Sequence, residues 1–592
     1  MKYSLAGCER VQDNHPKKNI MIKLYRSTSR FTREAIILLI TGTLLSNPLF
    51  SFAQHVNLPA NRKQMHHETE DDKYLPNAYN NKKTSPAYQY MSSGASKFIS
   101  SSIYTIQVNV NSSGQNIIGD AANEPNIAMN PANHNNIVIG WRQFDNVSSN
   151  FRQAGWSYTT NGGTTWTFPG TIETGIFRSD PVLDFDMSGN FYYNSLKSDF
   201  TCKVFKSTNG GATWNNGVNA EGGDKQWMTI DRTTGVGSGN IYSFWTVYYS
   251  SCLSGFFTRS STQGNSFENC TAINDSSYWG TMAIGNNGEL YIVGAGETSD
   301  MVVEKSLNAQ IPSSLINWNP SVHVFMDGYI NYSLPINPDG LLGQANIDVD
   351  RSNGSGMNNV YILASLTRLS NYDNADIMFV KSTDGGLSWS LPVRVNDDAS
   401  TTNIQWMGAM SVAPNGRIDA VWLDTRDDQS GSDYSALYYS YSIDQGNTWS
   451  PNEKLSASFN PHVGYPNQNK MGDYFDIISD STGVHLAWAN TFNGEEDVYY
   501  SHIVPGITGV NKNSLGNIIS IYPNPTSGVF AIAGGNGKYE IEIYNVLGEK
   551  VYFEKIINQK SLILNLDVPA GIYFIHLQTE QGSINKKIII NK

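Results

Sequence analysis

The sequence predicts an all-β protein, with a large body of repeated antiparallel units followed by a small β-sandwich. Three observations carry that expectation. Only 16% of the 592 residues are charged while aromatics reach 12%, and Gly (52) and Tyr (32) are abundant; about 25% charge is usual. Apolar runs of strand length alternate with Gly, Asn, Asp and Ser clusters, the punctuation of strands and tight turns. One turn phrase ending in Trp recurs along the chain. The same composition excludes other classes. Aromatics at this level build cores, so the chain is not disordered throughout. A coiled coil would be rich in Ala, Glu, Lys and Leu. A net charge of −12 repels phosphate, so no nucleic-acid partner is expected.

The N-terminus reads as an export signal. Lys23, Arg26, Arg30 and Arg33 form a basic region, Ala35 to Leu45 is apolar apart from Thr41-Gly42-Thr43, and Ser51-Phe52-Ala53 supplies small residues before a cleavage at Gln54. Residues 1–53 are thus expected to be a signal peptide. Met21 is an alternative start, because the residues before it carry Cys8 and mixed charges. The apolar run is shorter than the roughly 20 residues that span a bilayer, so no integral membrane span is expected. Residues 54–100 show no periodicity and are expected to be a disordered leader, its His66-His67 pair incidental.

The repeated phrase is a small hydroxyl residue, any residue, Asp or Asn, any residue, Gly, any residue, Thr or Ser, then Trp. It appears at Thr159-Thr160-Asn161-Gly162-Gly163-Thr164-Thr165-Trp166 and at Ser207 to Trp214. It returns at Ser382 to Trp389 and Ser442 to Trp449. A degenerate copy runs from Ser260 to Phe267, and a remnant at Ser306-Leu307-Asn308 has Trp318 displaced by an insertion. The Asp or Asn accepts backbone N–H groups of a turn, Gly supplies a positive φ, and Trp is left to bury between sheets.

A second phrase counts the units: a strand opening, a turn, then an apolar strand. The openings are Glu124-Pro125, Asp180-Pro181, Gln226-Trp227, Trp279-Gly280, Gln344-Ala345, Trp406-Met407 and Gly472-Asp473-Tyr474. Seven units are favoured over six. The last ends at Asp497 to Ile503 without a turn phrase or a fourth strand. Ile103 to Val110 alternates apolar with polar and is expected to supply that strand and close the ring.

The turn phrases resemble the Asp-box, or BNR repeat, of sialidases and related β-propellers, at the spacing of about 45–65 residues that one four-stranded blade takes. The resemblance implies an Asp-box β-propeller over 101–504. It specifies a fold element away from the family's active face. Sialidases have six blades, so seven is a departure.

A Gly/Asn/Ser linker is read at 505–517. Beyond it, Ile521-Tyr522-Pro523-Asn524-Pro525, Ile541 to Val551, Leu566 to Ile575 and Lys586 to Ile590 alternate strands with Pro/Gly turns, as a small Ig-like β-sandwich does. Residues 518–592 resemble the type A C-terminal sorting domain of the type IX secretion system. That implies export from a Gram-negative member of the Bacteroidota, with the secretion machinery as a partner and release or attachment at the outer-membrane surface. Export permits disulfides. Cys202 and Cys252 fall between second and third strands of adjacent units and are the expected pair, with Cys252–Cys270 as the alternative.

In propellers, ligands bind where the innermost strands open. Here those positions carry Glu124, Asp180, Asp473 and Tyr474 as candidate catalytic residues. Arg142, Arg426, Asp224, Gln344 and Trp406 are candidate substrate-binding residues. Paired carboxylates run glycoside hydrolysis, and Arg clamps a carboxylate bidentately. Tyr474 opens the last unit, as the sialidase nucleophile does. The family's early Arg-Ile-Pro phrase is absent, and no third arginine or Glu partner is evident; Glu297 is a guess by position. Arg142 and Arg426 also read as braces to Asp145 and Asp424, and Trp406 as core. No cofactor is expected and no metal site is assigned. The Asp427, Asp428, Asp433 cluster has the oxygen ligands calcium takes, without an EF-hand spacing. The expected function is action on, or recognition of, an extracellular glycan or glycoprotein by a monomer. A glycoside hydrolase comes first, and a lectin, adhesin or protein-binding scaffold is the alternative.

Overall fold

The computed structural model describes residues 72–74, 83–94, 100–252, 255–506, 520–533, 538–557, 561–579 and 582–592. The expected signal peptide, the His66-His67 pair and most of the expected linker lie outside them. Every regular element among the described residues is a β-strand.

Seven antiparallel sheets succeed one another, each beginning at one of the openings read from the sequence. The first strands, in order, are Ala121–Met129, Ser179–Phe185, Trp227–Ile230, Met282–Ile284, Asn346–Val349, Gln405–Val412 and Asp476–Ser479. Each touches the first strand of the next sheet, and the seventh touches the first, so these strands form a closed circuit. Side chains stitch the circuit together. Asn126 accepts the N–H of Leu183, Asp184 that of Ile230, and Thr281 that of Ile347. Asp348 accepts the N–H of Val412, Ser411 that of Ser479, and Asp476 that of Ile127. Six of the seven seams thus satisfy a first-strand N–H that would otherwise lack a partner.

The N-terminal strand closes the circuit as expected. Ser102–Gln107 pairs antiparallel with Asp497–Val504, the third strand of the seventh sheet. Thr105 Oγ1 and Ser501 Oγ lie 2.8 Å apart across this pair. The expectation of disorder up to residue 100 fails for 83–94. Gln89–Ser92 adds a fifth strand beside Ser102–Gln107, and Thr84–Pro86 pairs with Gln115–Ile117. Tyr88 explains part of this. Its ring stacks on Phe492 at 4.4 Å and meets Tyr499 edge-on, burial that single polar residues around it disguise in the sequence.

The turn phrases join third to fourth strands. In each full copy the Asp or Asn carboxyl or amide oxygen accepts the N–H four residues on: Asn161 from Thr165, Asn209 from Thr213, Asp384 from Ser388 and Asp444 from Thr448, at 2.9–3.0 Å. The leading hydroxyl accepts the Gly N–H, as Ser207 does from Gly211 at 3.0 Å. The displaced Trp318 still bridges to Ser306, and Asn308 accepts the N–H of Asn317, so the remnant keeps the geometry despite its insertion. Gly211 has φ +88°, and a Cβ there would lie 2.4 Å from Val138 Cγ2 of the preceding sheet. Gly211→Ala combines a left-handed backbone with overpacking. It is expected to cost about 2–4 kcal/mol in denaturant unfolding, whereas the same change at solvent-facing Gly114, with open space around it, is expected to cost about 1 kcal/mol.

The expected Cys202–Cys252 disulfide is not formed. Cys252 pairs with Cys270, with Cα atoms 6.6 Å apart, and Cys202 is a buried free thiol. The chain segment holding Cys270 runs back along the third strand of its own sheet through the Phe257–Thr271 bridge. That brings it to Cys252, whereas the Cys202 side chain faces Gly222 within its own sheet.

At the C-terminal end two sheets share one core. Ser520–Tyr522, Val529–Ala533 and Ser561–Asn565 form one sheet. The other is ordered Lys550–Ile557, Lys538–Asn545, Gly571–Thr579, Gly582–Ile590. Phe530, Ile532 and Leu564 of the first meet Ile541, Ile575, Leu577 and Ile588 of the second, all nearly or fully buried.

Candidate functional site

An antiparallel sheet alternates direction, so the first-strand openings and the second-to-third connections share one face of the ring. The turn phrases lie on the other. At the opening of every first strand the backbone takes a positive φ. The residues are Glu124 (49°), Asp180 (45°), Lys225 (55°), Trp279 (56°) and Met407 (54°), with Gly343 (134°) and Gly472 (90°) at the other two. In the first, second and sixth sheets this residue sits in a register shift against the second strand. Such bulges re-aim side chains. A non-Gly residue in this region costs about 1–2 kcal/mol, so five of the seven openings hold strain at one level of the ring.

Four of these openings converge on one buried charge cluster. Lys225 Nζ lies 3.2 Å from Asp180, 3.2 Å from Asp224 and 3.0 Å from Asp473. Lys470 Nζ lies 2.7 Å from Asp473 and 3.4 Å from Glu124. Arg142 is 3.2 Å from Glu124, and its Nε donates to Asn123 at 2.8 Å. The side chains of Glu124, Arg142, Asp180, Lys225 and Asp473 are all 0% exposed.

The environment divides the acids. Burial raises Glu124 to about 8, against the opposing pull of Arg142 and Lys470. Burial likewise raises Asp224 to about 7 despite Lys225. Burial also works against Asp180, but Lys225, Arg142 and Lys470 outweigh it and hold that carboxyl below its ordinary range. Lys225 is itself desolvated, yet Asp180, Asp224 and Asp473 keep it protonated well above the usual lysine range.

A carboxyl raised from its ordinary value binds a proton in the folded state that the unfolded chain has released. That favours folding fully below the unfolded value and is lost as pH rises through the folded one. Stability is therefore expected to fall between about pH 4.5 and 8 through Glu124. Glu124→Gln, neutral at all pH, is expected to flatten this part of the profile when thermal midpoints are compared from pH 5 to 9. An unchanged slope would exclude Glu124 as its source.

A connection seals the cluster. The chain from the fourth sheet's outer strand Val322–Val324 to Asn346 crosses to the seventh sheet. Asn337 donates to Gly472 O at 2.9 Å and accepts the N–H of Met471, and Leu341 N–H donates to Asp473 at 2.9 Å. Ile336, Leu341 and Leu342 are buried beside it. Beyond the cluster, toward the turn-phrase face, the channel between the first strands encloses about 300 Å³ lined from all seven sheets. Its charged groups are the pairs Asp184–Arg232 and Asp348–Arg351 and the carboxyl of Asp476, which burial raises to about 8.

The sequence candidates are thus partly gathered. Glu124, Asp180, Asp473, Asp224 and Arg142 meet. Tyr474 lies beside them, 3% exposed, its hydroxyl donating to Pro181 O at 2.9 Å and its ring edge-on to Trp227. Burial, then Glu124 and Asp180, push its phenol well above the ordinary range. Gln344 is 2% exposed and its amide lacks a hydrogen-bond partner among the described residues. Arg426 is elsewhere, bracing two sheets through Asp424 (2.8 Å) and Asp397 (2.6 Å). Trp406 is fully buried and donates to Ser435 at 3.1 Å, a core residue with no face for a ligand. Glu297 is held by the hydroxyl of Tyr248, and Asp427, Asp428 and Asp433 are taken up by Lys454, Ser430 and His462. The reading of the sequence missed Lys470. Three residues before Asp473 in a connection, it follows no repeat; only the need for a cation opposite so many buried acids pointed to one.

Comparison with known proteins bears on the two ends of the chain differently. The solved structures it resembles are similar at low identity. A polysaccharide lyase of family PL25, an ulvan lyase, is 11% identical with TM-score 0.40, covering 66% of this chain and 95% of the other. A protein of unknown function from Dyadobacter fermentans is 12% identical with TM-score 0.38, covering 68% and 98%. The Aleuria aurantia lectin is 12% identical with TM-score 0.32, covering 57% and 96%. These values carry no functional information about this chain. No curated protein matches it. Residues 520–591 match the secretion system C-terminal sorting domain. The two-sheet module at the C-terminal end is therefore a type IX sorting module, and the protein is secreted or displayed at the cell surface of a member of the Bacteroidota.

Proposed function

We propose that the seven sheets are the blades of an Asp-box β-propeller, and that this propeller recognises extracellular glycans or glycoproteins without hydrolysing them. The closed circuit of seven first strands and the turn-phrase hydrogen bonds support the fold. The observation that carries the function is the state of the central acids. Asp180, Asp224, Asp473 and Glu124 each lie within ion-pair distance of a lysine or arginine and are 0–1% exposed. A general acid needs a substrate oxygen within hydrogen-bond reach; these acids face cations instead. They hold the ring's centre together. Recognition falls to the periphery of the ring, outside the charge cluster. Binding of the mature protein to an array of neutral and acidic glycans tests this. Capture on at least one glycan class is expected, and no capture on any would contradict it.

One observation favours hydrolysis as a second reading. Glu124 is raised and Asp180 is lowered, the split of a proton donor from a permanent carboxylate that glycosidases use. It requires these buried carboxyls to become accessible to a substrate.

A further inference from the structure

The phrase tryptophans of the first and sixth sheets each meet an aromatic ring of the preceding sheet. Trp166 lies 5.2 Å from Tyr500, and Trp449 lies 5.2 Å from Phe379. At the gap between the first two sheets both partners are tryptophans. Trp214 stands edge-on to Trp156 at 6.4 Å and to Tyr193 at 5.7 Å. Trp156 is fixed by donating to Gly211 O at 2.8 Å.

The outer strand of the first sheet moves aside here. Its register slips between Trp156 and Tyr158, and Gly170, with φ +118°, has open space where a Cβ would be. The result is a cleft of about 390 Å³ lined by Trp156, Trp214, Glu173, Thr213, Asn215 and Asn216, among others. That volume suits a small ligand, and the lining has the usual make-up of such a site, aromatic walls with a few fixed polar groups.

The polar groups are built in. Glu173 is held in a left-handed conformation (φ 52°), and Arg178 and Lys203 both pair with its carboxylate. Burial opposes its ionisation, but those two cations outweigh burial and keep it a charged acceptor. Asn215 uses its amide oxygen on the N–H groups of Lys206 and Gly217, which turns its NH2 outward as a donor. Thr213 and Asn216 are exposed beside it.

We infer that this cleft binds a neutral monosaccharide unit of an extracellular glycan. The apolar face of the sugar ring lies on Trp214, and its hydroxyls donate to Glu173 and accept from Asn215 and Asn216. No lysine or arginine lines the cleft, and the two cations nearest its carboxylate, Arg178 and Lys203, are paired with Glu173, so nothing there favours an acidic sugar. The inference rests on the glycan-recognition reading and names where recognition occurs.

The test uses the mature chain on the same glycan array, with the best neutral ligand carried into titration calorimetry. Asn216→Ala is expected to weaken binding at least tenfold without moving the thermal midpoint, and Trp214→Phe to weaken it at least tenfold with a lowered midpoint, because Trp214 also packs on Trp156 and Tyr193. Trp449→Phe, the same phrase position packed on Phe379, carries a comparable packing loss and should bind like the native protein. If the native protein binds neutral glycans and neither cleft variant weakens binding, the site is wrong and the broader reading stands. Preference for acidic glycans would overturn the ligand class. If no glycan is bound, both readings fall together.

Discussion

Replacing Lys225 by methionine is expected to lower the stability of the ring by about 3–5 kcal/mol, the cost of breaking a buried ion pair from one side. The methionine keeps most of the volume and removes the charge. Lys225 is the shared partner of Asp180, Asp224 and Asp473, each 3.0–3.2 Å away, with no exposed surface. Without it Asp180 loses its principal counter-charge in the protein interior, and three acids from the first-strand openings of the second, third and seventh sheets face one another. They must then take up protons or draw in water. The double variant Lys225→Met, Asp473→Asn should recover part of the loss, because the amide removes one of the repelling groups. Urea unfolding of the mature protein measures both. A single variant within about 1 kcal/mol of native would show that the cluster does not hold the ring together.

Removing residues 54–108 is expected to do more. Ser102–Gln107 is the fourth strand of the seventh sheet, and Ile103, Ile106 and Val108 are 2%, 7% and 0% exposed. Their loss uncovers the edge of Asp497–Val504, with unpaired backbone groups and the apolar side chains behind them. Such an edge recruits other chains. The truncated protein should melt at a lower temperature than the native chain and elute as oligomers or aggregate in size-exclusion chromatography with light scattering. A synthetic peptide spanning 83–110 should restore the monomer by adding the strand back, as in other cases of strand complementation. A truncated monomer that melts like the native chain would contradict closure by this strand.

Much of the fold was legible because it repeats. The turn phrases fix third-to-fourth strand turns, and the Gly and Asp they need are locally determined, so Asn161, Asn209, Asp384 and Asp444 could be assigned one by one. The openings were visible for the same reason. Their left-handed backbone was not, since Glu124, Asp180 and Lys225 are residue types that do not announce a positive φ. The disulfide went wrong because pairing depends on the path of the chain after Phe257, which no repeat specifies. The site was half legible. Position along the unit located the acids, but not that Lys470 would be delivered from a connection, nor that Asn337 and Leu341 of the connection between the fourth and fifth sheets would reach Gly472 and Asp473. Long-range closure of this kind leaves no periodic trace. Trp406 and Tyr474 illustrate the same limit: an aromatic at a strand opening reads identically whether it faces a ligand or the core.

Whether the central acids act on a substrate decides between recognition and hydrolysis. Mature protein incubated with the glycan panel and followed by mass spectrometry decides it. Every glycan should be recovered at its starting mass, including those the protein retains on an array. Release of sugars from any of them, abolished by Glu124→Gln in a protein that stays folded, would contradict it and make the cluster an active site.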